Sequence, residues 1–373
     1  MLSMDKETDE SNHLISVIIA AYNVEQYIED AVVSVQRQTY KNLQIIIIDD
    51  GSSDNTLSII NDLSKNDDRI QVFTQKNRGL GETRNRGVAL ARGDYLIFLD
   101  GDDYVPVDAY NQMIQRFKMN PEIDFVVGRV TRVSDELEKQ FPSVLQQKAI
   151  LKSEVTNIFE SPRYVYDSTA WNKMYKKKFF RFGEYHFPHG FYEDIPVSIA
   201  VYRDAKKFAA ISNSVYFWRE RGEKASMSIT QSRYRPEIFH DRLEMLDLAL
   251  SEVEGPSYDK VQRALKAKII DIDVFIQIRD LPYNDKSLWK ETLDVIEIFM
   301  TKNHLFNQID TLPLGKQVMY RAFLNSNFDL VFLYKKKRSK KDKVVFYVLN
   351  FWRKPVFKSV FTFFLRRINE HLL

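Results

Sequence analysis

The sequence predicts an α/β fold followed by a smaller, mainly helical domain. Three observations carry this reading. Apolar, β-rich runs recur through the first hundred residues, separated by segments of helical spacing. One of these runs, Leu43–Ile48, is almost continuously apolar, as a strand covered on both faces should be. From about Tyr234 to Tyr334 the pattern becomes wholly helical. A chain of 373 residues is too long for one ordinary domain and suits two.

The elements follow in order. Leu14–Ala20 reads as a first strand and Glu25–Gln38 as a helix. Leu43–Ile48 is the second strand, and Asp54 is placed to cap a helix running through Leu63. Ile70–Phe73 is a third strand, Gly81–Ala91 a helix and Tyr95–Leu99 a fourth strand. Strands joined through helices need crossover connections, which implies a mainly parallel sheet. Residues 124–232 mix strands and loops and are rich in aromatics. Beyond them, Leu243, Leu246 and Leu250 keep helical spacing, as do Ile269, Ile270, Val274 and Ile278. The expected organisation is a polar tail over 1–12, an α/β domain over 13–232, a helical domain over 233–334 and a basic tail over 335–373.

Composition removes several chemistries. The chain has no cysteine, which excludes disulfides, thiolate metal sites and cysteine nucleophiles. The stretch Asp5–Glu10 is acidic where a secretory signal would be basic and then apolar, so none is expected. Charge is uneven. Residues 335–373 hold twelve Lys/Arg against two Asp/Glu, while the whole chain is only +3. Aromatic segments with Trp352, Phe361 and Phe364 follow the run Lys335–Lys341. No uncharged stretch approaches the roughly 18 residues that cross a bilayer. The tail therefore suits lying on an anionic membrane surface at the cytoplasmic face, with a homo-oligomer contact as its other use. No nucleic-acid partner is expected.

The candidate chemistry sits at strand ends, where open parallel sheets bind ligands. Asp100-Gly101-Asp102-Asp103 follows the fourth strand. Carboxylates two apart there suit a divalent cation, Mg²⁺ or Mn²⁺, that neutralises a departing diphosphate. Alone, such a cluster reads equally well as a turn with capping aspartates. It does not stand alone. Asp49-Asp50-Gly51-Ser52-Ser53-Asp54 closes the second strand; Asp50 can accept from a base N–H, and Gly51 lets the chain turn. Residues 77–85, Asn-Arg-Gly-Leu-Gly-Glu-Thr-Arg-Asn, open a helix with glycines and arginines suited to a base edge and phosphate.

Together with Ser16-Val17-Ile18-Ile19-Ala20-Ala21-Tyr22-Asn23, these motifs resemble the family 2 glycosyltransferases, which have a GT-A (Rossmann-like) fold. Ala20 stands where that family often has proline. The resemblance implies roles by position. Ala20 and Tyr22 line a nucleobase pocket with Asp50 and Arg78. Arg84 lies near the phosphates, Asp100 with Gly101 approaches the ribose or sugar, and Asp102 binds the metal.

A second constellation lies downstream. Trp171-Asn172-Lys173-Met174-Tyr175 is followed by Phe191-Tyr192-Glu193-Asp194 and by Trp218-Arg219-Glu220-Arg221. An isolated Glu-Asp before an apolar helix would be a helix cap. In the family the same position supplies the general base, which implies Asp194 as base and Glu193 as its orienting neighbour. One base implies one in-line displacement and inversion. Arg219 and Arg221 are candidates for diphosphate contact. Tyr216 and Trp218 read equally as core. His186 and His189 read as loop residues near the site rather than a metal pair. The combination is similar to transferases that build or decorate bacterial cell-wall polymers, including wall teichoic acid β-GlcNAc transferases. This implies a UDP-sugar donor and a polyol-phosphate acceptor, or alternatively a capsular or other surface polysaccharide. Three other classes fit the motifs less well. An inactive sugar-binding module would not need Asp102 and Asp194. A nucleotidyltransferase would want a glycine-rich loop after the first strand, and a dinucleotide oxidoreductase would want Gly-x-Gly-x-x-Gly.

Overall fold

The structure, a computed structural model, describes residues 13–134, 140–181, 183–222, 232–282 and 285–335. The chain begins with β1 (Ile15–Ala21), α1 (Ile28–Gln36), β2 (Leu43–Asp49), α2 (Thr56–Ser64), β3 (Ile70–Thr74), α3 (Leu80–Leu90) and β4 (Tyr95–Asp100). It continues with α4 (Ala109–Met119), β5 (Phe125–Ser134), β6 (Gln140–Pro142), α5 (Val144–Ala149), β7 (Glu154–Thr156), β8 (Lys173–Lys176), α6 (Asp194–Asp204) and β9 (Phe208–Glu220). Helices α7 (Pro236–Ser251), α8 (Asp259–Lys268), α9 (Phe275–Asp280), α10 (Lys286–Lys302), α11 (Leu314–Leu324) and α12 (Phe328–Lys335) complete it. The fold is the expected α/β sheet with a helical region after it.

The strands form a single mixed sheet in the order β3-β2-β1-β4-β8-β5-β9-β7, with β6 paired to β5. Strands β1 to β4 are mutually parallel. β8 then enters antiparallel between β4 and β5. Every residue of β1 and β2 is buried, which explains why Leu43–Ile48 shows no polar alternation. Helix α1 buries Ile28, Ala31, Val32 and Val35, one stripe at helical spacing. Asp54 lies one residue ahead of the α2 cap, yet its carboxylate still accepts from Thr56 N at 3.0 Å.

By its internal contacts the chain divides into two units. One holds the residues up to Ser232 together with Asp241–Leu265; the other holds Arg233–His240 and the residues from Lys266 onward. In the second unit Trp289, Phe323 and Phe328 pack as a ring cluster, and Lys268 pairs with Asp273 at 2.9 Å. No helix among the described residues is long and apolar enough to cross a membrane. The basic tail over 336–373, with its aromatic segments, and the N-terminal dozen residues lie outside the described residues.

Helix α3 lies close on the sheet because Gly87 faces Ile18 of β1. A Cβ at Gly87 would stand 2.2 Å from Ile18 Cγ2, inside a fully packed layer. Gly87→Ala should therefore lower stability by about 1–3 kcal/mol, the usual cost of overpacking. Urea unfolding measures it. An unchanged midpoint would show that α3 is free to shift off the sheet.

Candidate active site

The site gathers at the carboxyl ends of β1, β2 and β4. The β1 and β2 ends are tied together first. Ser52 Oγ accepts from Asn23 N at 3.0 Å, and Asn23 Oδ1 accepts from Ser53 N at 2.8 Å. Tyr22, at the mouth of β1, is 48% exposed. Its exposed ring forms an open apolar wall of the kind a flat base needs.

Asp50 is engaged by the loop that follows β3. Its carboxylate is buried and accepts from Arg78 N at 2.9 Å, Gly79 N at 2.9 Å and Gln75 Nε2 at 2.8 Å. It folds the loop that opens α3 and so carries Arg78 to the rim. The Arg78 side chain is largely exposed and leans on Glu82 at 3.5 Å. Asp50 thus shapes this wall by holding the loop, instead of presenting a free carboxylate.

The resemblance implies a place near the phosphates for Arg84. It is buried, and both edges of its guanidinium are taken: Nη2 donates to Asp100 Oδ1 at 2.6 Å and Nη1 donates to Glu193 Oε1. The carboxylates of Asp100, Glu193 and Asp194 outweigh the burial and hold its charge on. Glu193 is buried with it. Burial pushes the Glu193 carboxyl upward while Arg84 pulls it back. Arg84 therefore ties the end of β4 to the start of α6 rather than offering a free donor to phosphate.

Asp194 is the first residue of α6 and is partly exposed. The positive end of the helix dipole lies at its carboxylate. Burial raises its pKa, Asp100 adds to the rise, and Arg84 and Lys173 oppose it. The loop before it is unusual. Tyr192 adopts φ 64°, a left-handed conformation rare for a bulky residue. Asp241 Oδ2 accepts from Phe191 N at 2.9 Å, and the Arg242 guanidinium stacks on the Tyr192 ring at 4.7 Å. Asn85 clasps Phe187 with two hydrogen bonds of 2.9 Å, which fixes the His186–Pro188 segment against α3. Gly81 permits that approach, since a Cβ there would stand 2.5 Å from Pro188 O and 3.1 Å from Glu193 Cγ.

The Asp-Gly-Asp-Asp turn is divided by burial. Asp100 and Asp102 keep side chains 22% and 18% exposed. Asp103 turns inward, accepting from Tyr216 Oη at 2.8 Å and from Arg219 N at 2.7 Å. Burial, with Asp102 and Asp100 nearby, holds its carboxyl well above the usual range. Gly101 lets the turn press on β1, because a Cβ would lie 2.8 Å from Ala20 O. An all-oxygen pair of partly exposed carboxylates at a strand end fits a hard divalent cation; Asp103, committed inward, does not belong to that set.

The two arginines after β9 separate in role. Arg219 is nearly buried between the rings of Tyr27 and Tyr104, at 5.0 and 5.2 Å. It donates to Asp102 O at 2.9 Å and to Asp30 at 2.8 Å, so it braces the acidic turn from behind instead of reaching a diphosphate. Arg221 sits on the Asp102 carboxylate itself, at 2.8 Å. Tyr216 is core, with its ring against Trp171 at 4.2 Å and only its hydroxyl at the site.

Sequence reading missed the partners: Asp30 for Arg219, Asp241 and Arg242 for the Tyr192 loop, and Asp167 for Lys173. Only the last has a signal, the Trp-Asn-Lys motif. The Ser226–Ser228 segment lies outside the described residues.

Comparison with known proteins joins this geometry to a family. Residues 16–183 match the pattern of "Glycosyl transferase family 2". The uncharacterized glycosyltransferase EpsJ of Bacillus subtilis is 31% identical over 230 residues, covering 60% of this chain and 64% of that protein. The chain thus spans a little under two thirds of that relative's length. Glycosyltransferase GlyG of Streptococcus pneumoniae is 28% identical over 65% of this chain and 81% of its own. Among solved structures, S. aureus TarS 1-349 in complex with UDP-GlcNAc superposes with a TM-score of 0.65 at 17% identity, over 86% of this chain and 90% of that one. That likeness shows a shared GT-A-like fold with a helical region after it. The stretch that matches glycosyltransferase family 2, residues 16–183, is the part of the chain that carries these motifs at the ends of β1, β2 and β4.

Proposed function

We propose that the chain is an inverting hexosyltransferase that moves a sugar, GlcNAc or a related hexose, from a UDP-sugar to a hydroxyl of a bacterial surface polymer. The observation that carries this is the buried Arg84 bridge. It sets the Asp100–Asp102 carboxylates, where a donor diphosphate would lie, against a partly exposed Asp194 at the head of α6. TarS, which shares the fold, is seen with UDP-GlcNAc, and this supports the choice of donor.

Tyr22, Ala20 and the loop held by Asp50 bind the nucleoside, with Arg78 at the rim. Asp102 would hold Mg²⁺ or Mn²⁺, which supplies neutralisation of the diphosphate as it leaves. Asp100 is held by Arg84 toward the ribose and sugar. Arg221, already at Asp102, provides a second positive group beside the diphosphate. Asp194 takes the proton from the acceptor hydroxyl as that oxygen attacks the anomeric carbon. With a single base, the carbon inverts. The acceptor is a polyol-phosphate polymer of the wall teichoic acid kind. The Trp-Asn-Lys, Tyr-Glu-Asp and Trp-Arg-x-Arg pattern supports this choice, and transfer to a capsular polysaccharide instead would redirect it.

Three outcomes are expected. Asp102→Ala should lose turnover together with metal-dependent nucleotide affinity, seen by titrating UDP with and without Mn²⁺. Full activity of the native protein in excess chelator would remove the cation from the scheme.

Asp194→Asn should lose about 10²–10⁴-fold in turnover while binding UDP-sugar nearly normally. A base acts deprotonated, and burial raises this one, so activity should fall as pH drops through a value above the ordinary carboxylate pKa of about 4. A limb at or below that value would move the base elsewhere.

The basic tail should hold the protein at the cytoplasmic face of the membrane, at roughly 1 kcal/mol per basic residue close to anionic lipid. Flotation with anionic and neutral liposomes tests this. Failure to float with either would favour an oligomer contact.

A further inference from the structure

Each partly exposed carboxylate of the Asp-Gly-Asp-Asp turn carries an arginine. Asp100 has Arg84, whose Nη2 donates to Asp100 Oδ1 at 2.6 Å. Asp102 has Arg221, which brings two donors to one oxygen: Nε donates to Asp102 Oδ2 at 2.9 Å, and Nη2 lies 2.8 Å from the same atom. A carboxylate oxygen offers about two lone-pair directions, so these two N–H groups fill Oδ2.

The two pairs differ in what holds the arginine. Arg84 also meets Glu193, and both are buried, so its departure would strand a buried carboxylate. Arg221 lies one residue past the end of β9, beyond the paired part of the strand, with its guanidinium 5.5 Å from the Tyr27 ring. Its partner Asp102 reaches water, so the carboxylate is not stranded when the guanidinium swings away. Arg221 therefore asks for the same atom that Asp102 would offer a divalent cation. At the other oxygen of Asp102 a cation would still face the guanidinium as a like charge. Arg219 adds to this from behind, donating to Asp102 O at 2.9 Å. Two carboxylates with an arginine on each are close to neutral, and a cation alone gains little from them. A diphosphate changes the balance, because it brings oxygens that a guanidinium grips with two parallel hydrogen bonds.

We propose that Arg221 is an exchangeable counterion for Asp102. It occupies the carboxylate in the free protein, suppresses cation binding there, and passes to the diphosphate when the donor arrives. Cation and nucleotide then bind cooperatively, each tightening the other by the same factor. This rests on the reading of Asp102 as the residue that holds the cation.

Mn²⁺ is the probe, because electron paramagnetic resonance counts the free ion without any turnover. Arg221→Gln and Arg221→Ser remove the charge; Arg221→Lys keeps it without the planar fork. Circular dichroism checks that each folds. Without UDP, both neutral variants should bind Mn²⁺ about tenfold more tightly than the native protein, the lower end of what one neighbouring charge does to proton binding at a carboxylate. A damaged turn would bind the ion more weakly, so damage does not mimic this result. Saturating UDP should tighten Mn²⁺ by a smaller factor in the neutral variants than in the native protein. Arg221→Lys should stay near the native protein in both measurements. Native or weaker Mn²⁺ affinity in the neutral variants would overturn the proposal, as would a UDP effect of native size. Failure of both neutral variants to fold would also overturn it, since an exchangeable side chain is not one the fold requires. Asp102→Ala separates the two levels. If it binds Mn²⁺ as the native protein does, with and without UDP, the reading of Asp102 falls. If it loses Mn²⁺ while the neutral variants match the native protein, only the role of Arg221 falls.

Discussion

Arg84 brings a full positive charge into a space that water hardly reaches, and its partners come from elements 16 and 109 residues away in the chain. Asp100 ends β4, and Glu193 precedes α6. Neither carboxylate could remain at its depth without the guanidinium, and the guanidinium could not remain without them. Breaking such a pair by removing one member typically costs about 3–5 kcal/mol, because it leaves a buried charge uncompensated. The end of β4 and the start of α6 are therefore fixed to one another through one side chain of α3. Gly81 and Asn85 on the same helix add the close approach and the clasp on Phe187 that hold the loop before α6 in place.

The sheet makes that bridge possible. Four parallel strands deliver their carboxyl ends to one edge, and β8 then enters antiparallel beside β4. Because β8 runs the opposite way, it starts at that same edge, with Trp171, Asn172 and Lys173 there. Trp171 packs on Tyr216, and the Tyr216 hydroxyl holds Asp103. Asp103 is thereby withdrawn from the solvent-facing set, which leaves Asp100 and Asp102 as the carboxylates a ligand can meet.

The first hundred residues were legible because their signals are local. A continuous apolar run such as Leu43–Ile48 states its own burial, and Asp-Asp-Gly-Ser at its end states a strand end with polar chemistry. What was not legible was the partner of each charge. Arg84, Arg219 and Arg221 look alike in sequence, and all three were expected at phosphate. In the fold, Arg84 is buried between two carboxylates, Arg219 is clamped between two tyrosines, and only Arg221 stays at the carboxylate edge. Asp50 illustrates the same limit. Its type and position suggested a base contact, but its three hydrogen bonds are to residues 25 to 29 positions on. Residue type reports a capacity for charge or hydrogen bonding; only the fold decides which neighbour uses it.

The charges at this edge follow one pattern. Arg84, Lys173 and Arg219 each meet carboxylates supplied by the chain itself and lie almost wholly out of water. Arg84 and Lys173 are poor ligands for an incoming phosphate, because leaving their partners would strand a buried carboxylate; Arg219, whose partner Asp30 is 60% exposed, is held instead between two tyrosine rings. They serve as scaffold. Arg78 differs: it pairs with Glu82 at the surface, where exchange is inexpensive, while Arg221 lies on the Asp102 carboxylate with little exposure. A diphosphate carried to Asp102 would meet Arg221 there, while the interior pairs keep the geometry unchanged. Depth rather than residue type thus decides which charges are fixed, and the fixed ones hold β4, β8 and α6 to one another.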